Sequence, residues 1–254
     1  MDTITDPFSL AGKRILVTGA SSGIGRQTAI SCAEMGAQLV ITGRDQDRLD
    51  ATLATLAGTG HTQIAADLTQ GAELNRVLDA ADMVHGVVHA AGVSRLVPLR
   101  MVTPAYLEST FASNTFAPIL LTKGLLAKKH IAPGGSIVFI SALAMHTGPM
   151  ASSVYAASKG ALMGAMRVLG REVVKQGIRA NSISPGYVRT PLLDGLSQGG
   201  AQMDAVSGMA PLGIGESEDI AYAVVYFLSN ASRWVTRNHF IIDGGLTASS
   251  DIFA

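Results

Sequence analysis

The chain has 254 residues, of which 48% are hydrophobic and 15% charged, and its acidic and basic side chains balance. That length suits one α/β domain with ample core, and the composition excludes a disordered chain. Zero net charge offers no electrostatic footprint for nucleic acid or an anionic membrane surface.

The lone cysteine, Cys32, has no partner for an internal disulfide. Asp2 and Asp6 interrupt the start, no apolar run reaches bilayer length, and no metal-ligand cluster is evident. The expectation is a cytoplasmic, metal-free protein with no membrane or nucleic-acid partner.

Along the chain, strand-like runs (14–18, 38–42, 62–66, 86–89, 136–141, 179–183 and 240–243) alternate with helix-like segments (24–35, 45–56, 71–80, 104–129, 152–175 and 217–228). Such alternation predicts one α/β domain over 1–254: a Rossmann-like, doubly wound parallel sheet with helices on both faces. Ligands of such sheets bind beyond the carboxyl ends of the strands.

At the first of these ends stands Thr18-Gly19-Ala20-Ser21-Ser22-Gly23-Ile24-Gly25. Glycines there permit a tight turn, and the helix that follows offers unpaired N–H groups to an anion. Gly19, Ser21, Ser22, Gly23, Ile24 and Gly25 are therefore candidates for a dinucleotide pyrophosphate. The second strand closes on Gly43-Arg44, where an acidic residue would hold the ribose hydroxyls of NAD and an arginine suits a 2′-phosphate. This favours NADP(H), with NAD(H) the alternative, and Asp45 stands ready to neutralise Arg44 in part. Asp67-Leu68 follows the third strand, either beside the adenine or with Asp67 as N-cap of the next helix. Ala91-Gly92, after the fourth, is small enough for a cofactor to lie on the backbone.

Tyr155 and Lys159 are four apart on a predicted helix and so share a face. A phenol titrates near 10 unaided, and a cation beside it favours the phenolate. The pair is a candidate acid–base centre.

With these motifs the chain resembles the short-chain dehydrogenase/reductase family, nearly end to end. The resemblance is carried by the glycine loop to Gly25, Asp67, Asn114, Tyr155-x-x-x-Lys159, Pro185-Gly186 with Thr190, and Asp243-Gly244-Gly245. It implies hydride transfer between a nicotinamide and a ketone or secondary alcohol, as in 3-oxoacyl-carrier-protein reductases and polyol or sugar dehydrogenases. It also implies Tyr155 as general acid/base, Lys159 lowering the tyrosine pKa and holding the nicotinamide ribose, and Asn114 holding a relay water. Pro185, Gly186, Val188 and Thr190 would line the nicotinamide and its phosphate. Family members are commonly tetrameric, so a homotetramer or dimer is expected, with Gly160, Ala161, Gly164 and Ala165 allowing close packing. Pro118, four residues after Asn114, has no N–H for that residue's carbonyl, which leaves the carbonyl for a water or simply kinks the helix.

The family places a serine thirteen residues before the tyrosine, and here that position is Ala142. Ser141 is adjacent but belongs to the other face of a strand, and His146 is a further candidate donor. His89-Ala90 replaces the family's usual pair of asparagines. Residues 192–215, with Leu192, Leu193, Met203 and Met209, are expected to form a substrate lid. Two alternatives stand beside the oxidoreductase: a cofactor-binding protein with little turnover, and an epimerase or lyase on the same fold.

Overall fold

In the computed structural model, which describes residues 6–195 and 210–248, seven strands form one parallel sheet in the order β3-β2-β1-β4-β5-β6-β7. The strands are β1 (Arg14–Thr18), β2 (Gln38–Gly43), β3 (Thr62–Ala65), β4 (Val84–His89), β5 (Ile131–Ile140), β6 (Arg179–Pro185) and β7 (His239–Ile242). The order reverses between β1 and β4, so the crevice of a doubly wound sheet opens there. The expected strands are all present. β5 begins five residues earlier than expected because Ile131 pairs with Val84 across a register shift, ahead of the regular pairing from Ser136.

Helices cover both faces. On one side lie α1 (Gly23–Glu34), α2 (Gln46–Leu53) and α9 (Ser217–Leu228), closing a core that includes Ile15, Val17, Ile41, Val138, Ile183 and Phe227. On the other, α3 (Gly71–Ala81), α5 (Ala117–Ala127) and α7 (Ser153–Val173) pack on Leu16, Val87, Ile137, Phe139 and Ala180. Neighbouring strand residues thus divide between the two cores, as the period of two requires. Cys32 is buried in the first core and its thiol is pushed up to about 12 by desolvation, the state of an inert packing residue.

The helix expected over 104–129 is three pieces: α4 (Pro104–Phe111), a π-helical turn (Ala112–Phe116) and α5. Thr103 caps α4, accepting from the Tyr106 N–H, with Pro104 in the first turn. In the π turn the Ala117 N–H reaches back five residues to the Ala112 carbonyl. Pro118 cannot donate, so the ladder widens just before it. Two short helices, α6 (Ala144–Thr147) and α8 (Pro191–Asp194), follow β5 and β6. No helix among the described residues is long and apolar enough to cross a membrane. Met203 and Met209 of the expected lid, and the C-terminal Ser249–Ala254, lie outside the described residues.

Candidate active site

The carboxyl ends of the strands surround a cleft of about 770 Å3. Its first wall is the turn from β1 into α1. Gly19 has φ of +68°, and a Cβ there would stand 2.7 Å from the Ala91 backbone. A Cβ on Gly25 would stand 2.2 Å from the Gly19 carbonyl oxygen, so the turn closes only without side chains. Ser22, the N-cap of α1, makes no side-chain cap, and the first turn carries no acid. The positive end of α1 is thus left for an anion. Ser21, Ser22, Gly23, Ile24 and Gly25 all line the cleft.

Arg44 also lines the cleft and is exposed. Asp45 does not neutralise it. That carboxylate caps α2, accepting from the Arg48 N–H at 3.0 Å and from its Nε at 2.7 Å, and Arg48 holds it below the usual carboxylate range. Arg48 is a second cation on this wall that sequence reasoning missed; its place in the first turn of the helix that follows Arg44 was the available signal. Asp67 and Leu68 stand on the cleft as well. Asp67 is not the N-cap of α3, which is Gln70; its Oδ1 accepts from the Thr69 N–H and hydroxyl, an Asx turn that fixes the loop.

The floor is made by β4 and β6. Ala91 and Gly92 line the cleft, and a Cβ on Gly92 would sit 3.1 Å from Lys159 Nζ and 3.2 Å from Asn114 Oδ1. Pro185 at the end of β6, and Gly186, Val188 and Thr190 after it, form the opposite wall, with Tyr187 an additional lining residue. Gly186 packs so closely on β7 that a Cβ would meet Asp243 Cα at 2.7 Å. Asp243 in turn accepts from the Gly245 and Thr247 N–H groups, which explains the Asp243-Gly244-Gly245 turn as the brace of this wall.

Tyr155 and Lys159 project from α7 into the same cleft. Lys159 is buried and donates to the Ile140 carbonyl at 2.8 Å; desolvation brings its ammonium down to about 8. The expectation that Lys159 lowers the Tyr155 pKa meets the opposite direction here: burial pushes the phenol up to about 12. With the ammonium turned to Ile140, desolvation outweighs the neighbouring charge. Asn114, in the π turn, is fully enclosed. Its side chain clamps the Val93 backbone and donates to Ser158 Oγ at 3.0 Å, so both ends of the amide are engaged.

Comparison with known proteins decides the family. Residues 19–247 match the family model described as Enoyl-(Acyl carrier protein) reductase. The NADP-dependent (R)-specific alcohol dehydrogenase of Lentilactobacillus kefiri is 32% identical, with 94% of this chain and 98% of that protein covered. The (3R)-3-hydroxyacyl-CoA dehydrogenase of Canis lupus familiaris is 31% identical, over 96% of this chain and 99% of its own. A crystal structure of a short-chain type dehydrogenase/reductase from Mycobacterium marinum superposes with a TM-score of 0.88 at 29% identity, covering 96% and 99% of the two chains. The chain belongs to the short-chain dehydrogenase/reductase family. Its relatives are oxidoreductases acting on alcohols, ketones or acyl groups.

Within this short-chain dehydrogenase/reductase, the substrate wall departs from the expectations. Ala142 is buried on the cleft. Ser141 also lines the cleft, but its hydroxyl is engaged: it donates to the Lys159 carbonyl at 3.0 Å and lies against Met145 Sδ. The strand alternation keeps it on the α7 side. His146 is corrected as well. It is not among the cleft residues, and its Nε2 meets His239 Nε2 at 2.8 Å, while His239 Nδ1 bonds Ser182 Oγ. His89 is a buried neutral imidazole stacked on Phe139, with Nε2 2.8 Å from Thr122 Oγ1. Desolvation first, and then the Lys159 charge, bring it down to about 3. From the expected lid, Leu192 and Leu193 reach the cleft through α8, whose N-cap Thr190 accepts from the Leu193 N–H.

Proposed function

We propose that the protein is an NADP(H)-dependent oxidoreductase that interconverts a ketone and a secondary alcohol, with Tyr155 as general acid/base. The observation that carries this reading is the shared cleft. Tyr155 and Lys159 stand in the same cavity as the glycine turn and the uncapped start of α1. The residues present fit a dinucleotide. An anion fits the uncapped start of α1, small residues at 91 and 92 leave room against backbone, and Arg44 and Arg48 stand where a 2′-phosphate would be met.

The bound cofactor supplies or accepts the hydride. The chain's own residues handle the proton. In the reducing direction Tyr155 gives its phenolic proton to the substrate oxygen. Its pKa, raised by burial, keeps that proton in place until charge develops. Lys159, held by the Ile140 carbonyl and clear of solvent, positions the ribose side and stabilises the phenolate once it forms. Asn114 braces the Val93 backbone and offers its carbonyl to the relay water. The apolar lining contributed by Leu96, Leu143, Met150 and Leu192 suits a partly apolar substrate.

The cofactor assignment is tested by titrating the purified protein with NADPH and with NADH, followed by fluorescence. Tighter NADPH binding supports the reading, and preference for NADH overturns the role of Arg44. The cytoplasmic homo-oligomer belongs to the same proposal. Phe116, Leu120 and Val168 are exposed on the π turn, α5 and α7, and Gly164 meets only open space among the described residues, so a second copy would pack there. Sedimentation at a monomer's mass would reject that assembly.

A further inference from the structure

Residues 92–98 leave β4 and run along the cleft, pinned at both ends. Near the start, the Val93 N–H donates to Asn114 Oδ1 at 2.8 Å and Asn114 Nδ2 donates to the Val93 carbonyl at 2.9 Å. Gly92, beside it, lies against Lys159 Nζ. At the far end the Val97 N–H donates to the carbonyl of Ala151 at 2.8 Å, in the turn just before α7. Between them the Arg95 carbonyl accepts from the Tyr106 hydroxyl at 2.7 Å. The backbone on both sides of Ser94 is therefore fixed, to the π turn at one end and to the loop that leads into α7 at the other.

Ser94 lies on the cleft wall together with Ala142, Tyr155 and Lys159. Its Oγ is shielded from solvent and has no hydrogen-bond partner. A buried hydroxyl without a partner costs stability, so its presence calls for a group that completes it. The hydroxyls of the segment around Ala142 are all engaged: Ser141 with the Lys159 carbonyl, Thr147 with that of Leu143, and Ser152 with that of Pro149.

We propose that Ser94, turning about its Cα–Cβ bond from its shielded position into the cleft, supplies the substrate-binding hydroxyl that the chain lacks at position 142, donating its O–H to the substrate oxygen that Tyr155 protonates. The inference rests on the assignment of Tyr155 as the acid/base. As the carbonyl carbon gains hydride, the π pair of the C=O bond moves onto oxygen, and that oxygen takes the Tyr155 proton. Ser94 keeps its own proton throughout and stabilises the charge by a hydrogen bond, as an oxyanion-hole donor does. The donor thus comes from the segment after β4 instead of the end of β5.

The test measures NADPH-dependent reduction, with the ketone that the wild type turns over best, for Ser94→Ala, Ser94→Thr, Ala142→Ser, Ser94→Ala/Ala142→Ser and Tyr155→Phe. Ser94→Ala is expected to lower kcat/KM about 10²- to 10³-fold with NADPH affinity unchanged. Its melting temperature should hold or rise, because an unsatisfied buried group has gone. Ser94→Thr should retain most of the rate, and Ala142→Ser should restore at least about tenfold in the Ser94→Ala background while adding little to the wild type. The proposal is overturned if Ser94→Ala keeps the wild-type rate while Tyr155→Phe is inactive. A Tyr155→Phe enzyme as fast as wild type, or a wild type that binds NADPH and reduces nothing, instead overturns the underlying assignment.

Discussion

The two halves of the cleft are built by different means. Beside β1 the cleft relies on backbone: Gly19 and Gly25 stand where a Cβ would clash, the end of α1 is uncapped, and Arg44 and Arg48 flank this turn with charge. The wall formed by β4, β5 and the residues before α7 is made of side chains, each oriented by a hydrogen bond, as with Asn114 on Val93, Lys159 on Ile140 and Ser141 on Lys159. A backbone site tolerates almost no change at its glycines but little depends on its neighbours. A side-chain site can lose one group and recruit another from a different segment.

This contrast can be broken from the backbone side first. Gly25→Ala forces a methyl group into the Gly19 carbonyl, and loss of dinucleotide binding together with about 1–3 kcal/mol of stability is expected from calorimetric titration and thermal unfolding. If the variant binds NADPH normally, the turn is not the phosphate cradle. Arg44→Ala comes next. Removing one charge-assisted contact should weaken NADPH about 10- to 100-fold and leave NADH unaffected. Arg48→Ala should cost less, because Asp45 already holds that guanidinium, and equal losses for the two arginines would contradict this ordering.

The smallest effect concerns acid stability. His89 binds a proton near 6.5 when unfolded but only near 3 when folded, so the unfolded state takes up the extra proton and stability falls as pH drops below about 6.5. His89→Asn should flatten the fall between pH 6.5 and 4 in denaturant titrations, and an unchanged slope would show that the imidazole is not the sensor.

The same contrast explains what could be read from the sequence. The strand–helix alternation and the glycine turn are local patterns, and β1, β2, β4 and α9 stand where the pattern places them. So do the residues that line the cleft from Gly19 to Thr190. What escaped depends on side-chain direction and on long-range contact. Ser141 points to the α7 side because of the pleat, and His146 is captured by a residue 93 positions away. The Tyr155 pKa rises because burial is a property of the assembled cleft. The π turn before Pro118 shows the intermediate case: the missing N–H was legible, while the widening of the helix that answers it was not.

The most direct test of the account is single-turnover oxidation of bound NADPH by a panel of ketones, for the wild type and for Tyr155→Phe, with NADPH affinity measured in parallel. The account predicts that Tyr155→Phe binds NADPH as the wild type does and is slower by about 10²- to 10⁴-fold. Equal rates in the two proteins would contradict it, because proton transfer would then not depend on Tyr155.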